Sequence, residues 1–558
     1  MSENTQNEAE MRNNVDTSVG SIQDVLDQDV LMQAVIGEIY KAITTGDDVA
    51  PASKDNFFAW VTPGYPVEPK DFEFASLGLT GETIDTDELK RRVKEEIDQY
   101  MESRKASGAE TIEAPDTKEI VARIKDDMQK ENQQRRTNAA DDFASMVDFI
   151  PDVSGDDKAL LKTMYGEGTL SDVYESILQM SQVKHSKLSE QDQKIVEKNR
   201  ELLGEKTEEV TDILGEKTTQ IKPSPLMEAY NRHQEAYTEA VNDYFAKMIT
   251  GTLGDLKERN LWVHTAPTYR KKVDTAKHNW IVSGYKNQVE SLTAQLAQIE
   301  DRDFSIFKQK CKDLMEAYKK TSAFKDFYYT TFTPSNFVKS EGWTQLSISS
   351  SKLGQATHAD SKSHSRSITT KSKSGFHSHS TKNTESSSSC NISTSLKARS
   401  FSLSFEFCQV RIVRPWFKES FLTSKYWRFD PKESRAGQEL SDGGNPPKGI
   451  MPAYPTSMFV VRNLSLRFDS KQDASSFSDD YKSKSASYSG GVSLGFFNIS
   501  AGAGYSNSDS SGRADSDLQM SKDGQSITIP GMQVIGFNCH VLDKAPNPSP
   551  DVSDEDWI

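Results

Sequence analysis

Gly491-Val492-Ser493-Leu494-Gly495 has the GxSxG spacing of a nucleophile elbow, in which a serine on a sharp strand-to-helix turn attacks a carbonyl. That chemistry requires a helix after the serine, with acid and histidine partners downstream. Here glycines and alternating residues follow, so Ser493 reads as a strand residue. Gly502-Ala503-Gly504 lacks the third glycine of a dinucleotide fingerprint, and neither a P-loop nor an HExxH pattern occurs. Cys311, Cys390, Cys408 and Cys539 are widely separated and form no CxxC pair, which indicates neither a zinc site nor a disulfide framework. The expectation is a chain without enzymatic activity, cofactor or metal.

A different pattern has physical content. Ahead of residue 497, Ala486, Tyr488, Val492, Leu494 and Phe496 fall on one face of an alternating strand, with Ser485, Ser487, Ser489, Gly491 and Ser493 on the other. The parity then shifts by one residue, setting Phe497, Ile499, Ala501, Ala503 and Tyr505 against Ser500, Gly502, Gly504 and Ser506. A turn at about Gly495 to Asn498 places both apolar sets on one side of a hairpin. Each arm has about 9–11 residues, the length a tilted strand needs to cross hydrocarbon. The hairpin resembles the insertion hairpins of β-pore-forming proteins such as the aerolysin-like and perforin-like groups, whose small hydroxyl residues line the lumen. That resemblance implies a homo-oligomer meeting membrane lipid through Tyr488, Val492, Leu494, Phe496, Phe497, Ile499 and Tyr505.

The hairpin has an upstream echo. Leu346-Ser347-Ile348 opens a strand, passes through Ser-rich text to Gly375-Phe376, and returns into Phe401 to Val413; Leu464-Ser465-Leu466 does the same through Gly495-Phe496 into Ile527 to Leu542. Each ends in an aromatic strand with one cysteine, Phe405-Glu406-Phe407-Cys408 and Phe537-Asn538-Cys539, so 346–413 and 464–542 read as a duplicated hairpin. The first copy differs in charge. Lys362, His364 and Arg366 line one face, Lys371 and Lys373 follow, and four of the nine histidines, His358, His364, His377 and His379, lie within it. Neither face suits lipid; protonation near pH 6 adds charge and makes this copy a candidate pH sensor or a partner for the Asp-rich flanks of the second. His377-Ser378-His379 alone fixes no metal geometry.

Long helices must carry these hairpins. Leu89, Val93, Ile97 and Met101 recur every four residues, and helical patterns are predicted over 22–43, 116–148, 156–184 and 188–220. Leu203-Gly204-Glu205-Lys206-Thr207 returns eleven residues later at Leu214 to Thr218, compatible with an extended helix. Tyr230, Tyr237 and Tyr244 stand at heptad spacing as a packing seam; a break is expected near Pro267, then a long helix through Tyr285, Val289, Leu292, Leu296 and Ile299 to about Phe324. Aromatics at 57–74 among Pro and Gly predict a docked loop, and beyond Trp343 the text reads as β throughout.

The fold class is therefore α+β: a tail (1–25), a helical region of antiparallel long helices (26–325), an antiparallel β region with two Ser-rich hairpins (326–545) and an acidic tail (546–558). A net charge of −16 argues against nucleic acid as a partner. No run is apolar for the roughly 18 residues of a spanning helix, and Met1 to Val15 lacks a signal core, so we expect a soluble chain made in the cytoplasm and exported, if at all, without a leader. The alternative to a pore former is a structural protein of a filament, appendage or particle, using hairpins and helical seams as subunit contacts.

Overall fold

The computed structural model describes residues 56–80, 85–106, 117–151, 168–185, 190–204, 207–211, 217–221, 224–253, 256–300, 303–340, 342–350, 365–369, 390–396, 400–444, 446–487, 492–495, 497–499 and 519–558, with Leu31, Val35 and Ile39. Those three isolated residues are helical and buried at four-residue intervals; the rest of the helix predicted over 22–43 lies outside the described residues. The aromatic segment is not a loop. It forms strand β1 (Asn56–Val67), and its pairing slips between Trp60 and Tyr65, where Pro63-Gly64 breaks the ladder and hid the strand from a periodicity reading.

Helices α1 (Thr86–Ala106) and α2 (Thr117–Val147) form an antiparallel pair, with Leu89, Val93 and Ile97 packed on Ile120, Ile124 and Met128. After α3 (Leu170–Met180) and a short strand β2 (Ser181–Val183), helix α4 spans Glu190–Leu202. The predicted extended helix stops there. Gly204 takes a φ of +65°, which only glycine adopts readily, and the repeated segment folds as a hairpin, β3 (Thr207–Thr211) against β4 (Lys217–Ile221). Its Thr, Val and Ile residues prefer strands.

Helix α5 (Pro225–Leu253) carries the tyrosine seam against α6 (Leu256–Val282). Trp280 meets Tyr230 and Tyr237 at 5.3 and 5.5 Å between ring centroids, and Trp262 meets Tyr244 at 5.5 Å. Pro267 does not break α6; it lies on an exposed face inside the continuous helix. The break comes later, at Gly284 and Tyr285 (φ +53°). The predicted long helix is thus two, α7 (Lys286–Glu300) and α8 (Phe304–Tyr318), the second capped by Asp303 accepting from Ser305 N–H.

The β region follows: β5 (Lys319–Thr321), β6 (Asp326–Tyr328), β7 (Thr331–Thr333), β8 (Thr344–Ser349), β9 (Ser365–Thr369), β10 (Cys390–Asn391), β11 (Phe401–Val413), β12 (Trp427–Phe429) and β13 (Ala453–Phe468). Helix α9 (Lys471–Ser487), strands β14 (Val492–Leu494), β15 (Phe497–Asn498), β16 (Gln519–Met520) and β17 (Ser526–Val541) complete it. The main sheet runs β7-β11-β13-β17-β1-β9, with β8 also on β11 and β16 on β17. Helix α9 corrects the all-β expectation for this half. Its Ser- and Asp-rich text is weakly helical, but Ala474, Phe477 and Tyr481, at i, i+3 and i+7, give it one apolar face to bury.

The two faces of the sheet are covered at different ends. Helix α2 packs Phe143, Ala144 and Val147 onto Val410, Ile412, Met458 and Val460 of one face. The opposite face, around Leu403, Phe405, Leu466 and Ile527, is covered by the segments inserted between strands.

Candidate functional site

Strands β8, β11, β13 and β17 form an antiparallel unit in chain order, each paired to the next. Ser349 pairs with Ser402, Phe401 with Phe468, and Arg467 with Ser526, so these four strand ends lie at one level. Residues 350–400 leave and re-enter the sheet there, and so do residues 469–525. The two hairpins recognised in the sequence, β8–β11 and β13–β17, are therefore side by side with their long inserts at the same end.

Above that level the side chains sort into rows. Ile348, Leu403, Leu466 and Ile527 are successive cross-strand partners, each at most 1% exposed. One residue along, Ser347, Ser404, Ser465 and Thr528 form a row on the opposite face, which is partly or fully exposed. Ser347 Oγ and Ser402 Oγ lie 3.2 Å apart on the same side. Strand alternation has produced a wall with a dry aliphatic side and a wet hydroxyl side. The apolar parity is kept in β13 by a bulge: Phe459 and Val461 face the inserts, Asn463 takes a φ of +55°, and Leu464, Leu466 and Phe468 face them again.

The dry side is where the predicted membrane hairpin lies. Val492, Leu494, Phe497 and Ile499 are each no more than 1% exposed and belong to the same apolar cluster as Phe405, Leu403 and Leu466. Phe497 packs on Phe405 at 5.3 Å and Phe477 of α9 on Phe468 at 5.6 Å. Leu494 pairs with Phe497 across a tight turn at Gly495 (φ +59°), within the stretch assigned to it from sequence. Tyr488, Phe496 and Tyr505 lie outside the described residues.

The two inserts meet each other. Strand β10 of the first pairs in parallel with β14 of the second, Cys390 opposite Val492 and Asn391 opposite Ser493, and Ile392 N–H donates to the Ser493 carbonyl at 2.8 Å. Ser493 is buried within this small sheet with no helix after it, which gives it no elbow geometry. Strand β9, also of the first insert, lies parallel to β1 at the far edge of the main sheet. It contains Arg366, whose side chain is outside the described residues, as are His358, Lys362, His364, Lys371, Lys373, His377 and His379.

One polar residue on the dry side escaped the sequence reading. Gln533 of β17 is 6% exposed among aliphatic neighbours and accepts from Asn498 N–H while donating to the Asn498 carbonyl. The only signal was an amide at an apolar-parity position, in step with Ile527, Ile529 and Ile535. Elsewhere, burial against Asp141 and Asp71 pushes the Asp142 carboxyl up to about 7, and burial raises Asp71 to about 6. These acids sit where α2 meets the β5–β6 turn, with Ser322 Oγ donating to Asp141 at 2.7 Å. Among the described residues no group of three or more His, Cys, Asp or Glu side chains is placed to hold a metal, and no helix is long and apolar enough to cross a membrane.

Comparison with protein-family models, curated proteins and solved structures returns no match to this chain.

Proposed function

We propose that this chain is a non-enzymatic, membrane-perforating protein that oligomerises and extends its second insert, residues 469–525, into a lipid-spanning β-hairpin. The observation that carries the proposal is the four-strand unit whose two inserts leave from one end, above a wall already divided into an aliphatic and a hydroxyl face. Unfolding an insert from the dry side and straightening it prolongs β13 and β17 in register. The apolar side chains then face lipid and the hydroxyls face water. Either insert is long enough for two arms exceeding the roughly 9–11 residues needed per tilted strand. Backbone groups exposed on extension regain partners only when neighbouring copies close a barrel, which couples insertion to oligomerisation. Burial of Val492, Leu494, Phe497 and Ile499 in the monomer supports storage in a water-stable form.

The test is dye release from anionic liposomes at pH 7 and pH 5.5 with the full chain carrying Val492→Cys. This places a cysteine at the position that pairs with the native Cys390 in the β10–β14 register, for oxidation to a disulfide between the two inserts. The oxidised protein should release nothing, and reduction should restore the release seen with the unaltered chain. Absence of release by the unaltered chain at either pH, with ordered polymers in electron micrographs, overturns the proposal in favour of an assembly protein.

A further inference from the structure

Helix α5 is tied to the β region: Ser335 Oγ donates to Glu235 at 2.5 Å and Asn336 Nδ2 to Glu239 at 3.0 Å. Helix α6 is thereby the outer member of the hairpin. It turns Trp262 and Trp280 toward α5 and leaves Leu261, Val263 and Val282 63%, 69% and 58% exposed.

The outer face has an ordered composition. Leu261, His264, Thr268, Lys271, Thr275, His278 and Val282 follow one another at alternating steps of three and four residues, one continuous stripe of an α-helix. It has an aliphatic residue at each end, basic and hydroxyl residues between, and no carboxylate. Lys272 is exposed beside it, and Arg270, Asp274 and Lys277 are exposed farther round the helix. Between α5 and α6 this face opens into a groove of about 400 Å³ lined by His233, Thr268, Lys271, Lys272, Thr275 and Asn279, a set rich in hydrogen-bond donors and bearing two ammonium groups. Such a surface contrasts with a chain whose net charge is −16.

We propose that this face of α6 binds the surface of an anionic phospholipid bilayer, the helix lying in the plane of the membrane. Leu261 and Val282 enter the acyl boundary, and the groove at Lys271 and Lys272 takes a headgroup phosphate. The charge selects an anionic partner. The exposed aliphatic residues select a bilayer over a polynucleotide, whose backbone offers them no apolar medium. This surface is far in the chain from the inserts, and its binding does not require perforation.

Sedimentation of the full chain with vesicles of phosphatidylserine and phosphatidylcholine, against phosphatidylcholine alone, tests the proposal. Binding should need the anionic lipid. It should weaken about ten-fold or more in Lys271→Glu/Lys272→Glu, and also fall in Leu261→Ser/Val282→Ser, while circular dichroism and melting temperature remain those of the unaltered chain. The oxidised Val492→Cys protein should still bind, which separates this result from the outcome of dye release. Equal binding to neutral vesicles, undiminished binding by either double variant, or binding to duplex DNA as tight as to lipid overturns the proposal.

Discussion

Gln533 of β17 and Asn498 of β15 hold each other by two hydrogen bonds of opposite sense, Asn498 N–H to Gln533 Oε1 at 2.7 Å and Gln533 Nε2 to the Asn498 carbonyl at 3.1 Å. The amide of a side chain here takes the place of a neighbouring strand. It ties the tip of the second insert to the sheet beside the apolar contacts of Val492, Leu494 and Phe497. A Gln533→Leu variant keeps the volume but removes both bonds to the partly buried Asn498 backbone, at a cost of about 1–3 kcal/mol. Amide exchange at Val492–Ile499 should accelerate, and dye release should set in sooner. Unchanged exchange would show that the amide does not secure the hairpin.

The aliphatic and hydroxyl rows should respond very differently to truncation. Phe405→Ala removes the ring beneath Phe497 and should lower stability to denaturant by about 3–5 kcal/mol. Ser404→Ala, one residue away on the wet side, should stay within about 0.5 kcal/mol of the unaltered protein. Similar losses for both would contradict the division of the wall.

Acidity should favour the fold around α2. Because Asp142 and Asp71 titrate higher in the fold than in the unfolded chain, their contribution to stability is present below about pH 4 and is lost as pH rises through about 6 and 7. Asp142→Asn removes part of that loss. Its melting temperature should exceed that of the parent at pH 8 and converge with it below about pH 4; a constant difference at both pH values would assign the effect elsewhere.

Trp280 bridges Tyr230 and Tyr237 and should hold α6 against α5. Trp280→Ala should weaken that seam by roughly 1–3 kcal/mol, the worth of two aromatic pairs. Protease cleavage between residues 253 and 285 would report it, and unaltered cleavage would count against the seam.

Where one environment repeats at a fixed period, the sequence was readable. Leu89-Val93-Ile97 predicted α1, the strand from Phe401 to Val413 predicted β11, and the paired Leu-Ser starts predicted two related hairpins, which the sheet sets side by side. Elements whose order comes from their neighbours were missed. Helix α9 is built from poor helix formers and is held by Ala474, Phe477 and Tyr481 against the sheet; β1 is interrupted by Pro63-Gly64 and held by β17. Alternation also marked Val492, Leu494, Phe497 and Ile499 as one apolar face without revealing what covers it. Periodicity identifies a face that must leave water, and burial under α9 and against β11 satisfies that need in the monomer. Gln533 was beyond reach because its partner lies 35 residues earlier in the chain.

The bulge at Asn463 also sets where this protein can change length. Deleting one residue there would rotate Leu464, Leu466 and Phe468 to the wet side and bring Ser465 and Arg467 into the core, an error no local repacking repairs. Among the described residues of the inserts, 350–400 and 469–525, that constraint falls on short pairings: β9 on β1, β10 on β14, β14 on β15 and β16 on β17. Evolutionary insertions and deletions should therefore accumulate in the two inserts and be rejected at their roots, so that related chains would differ in reach while keeping the same four strands in step.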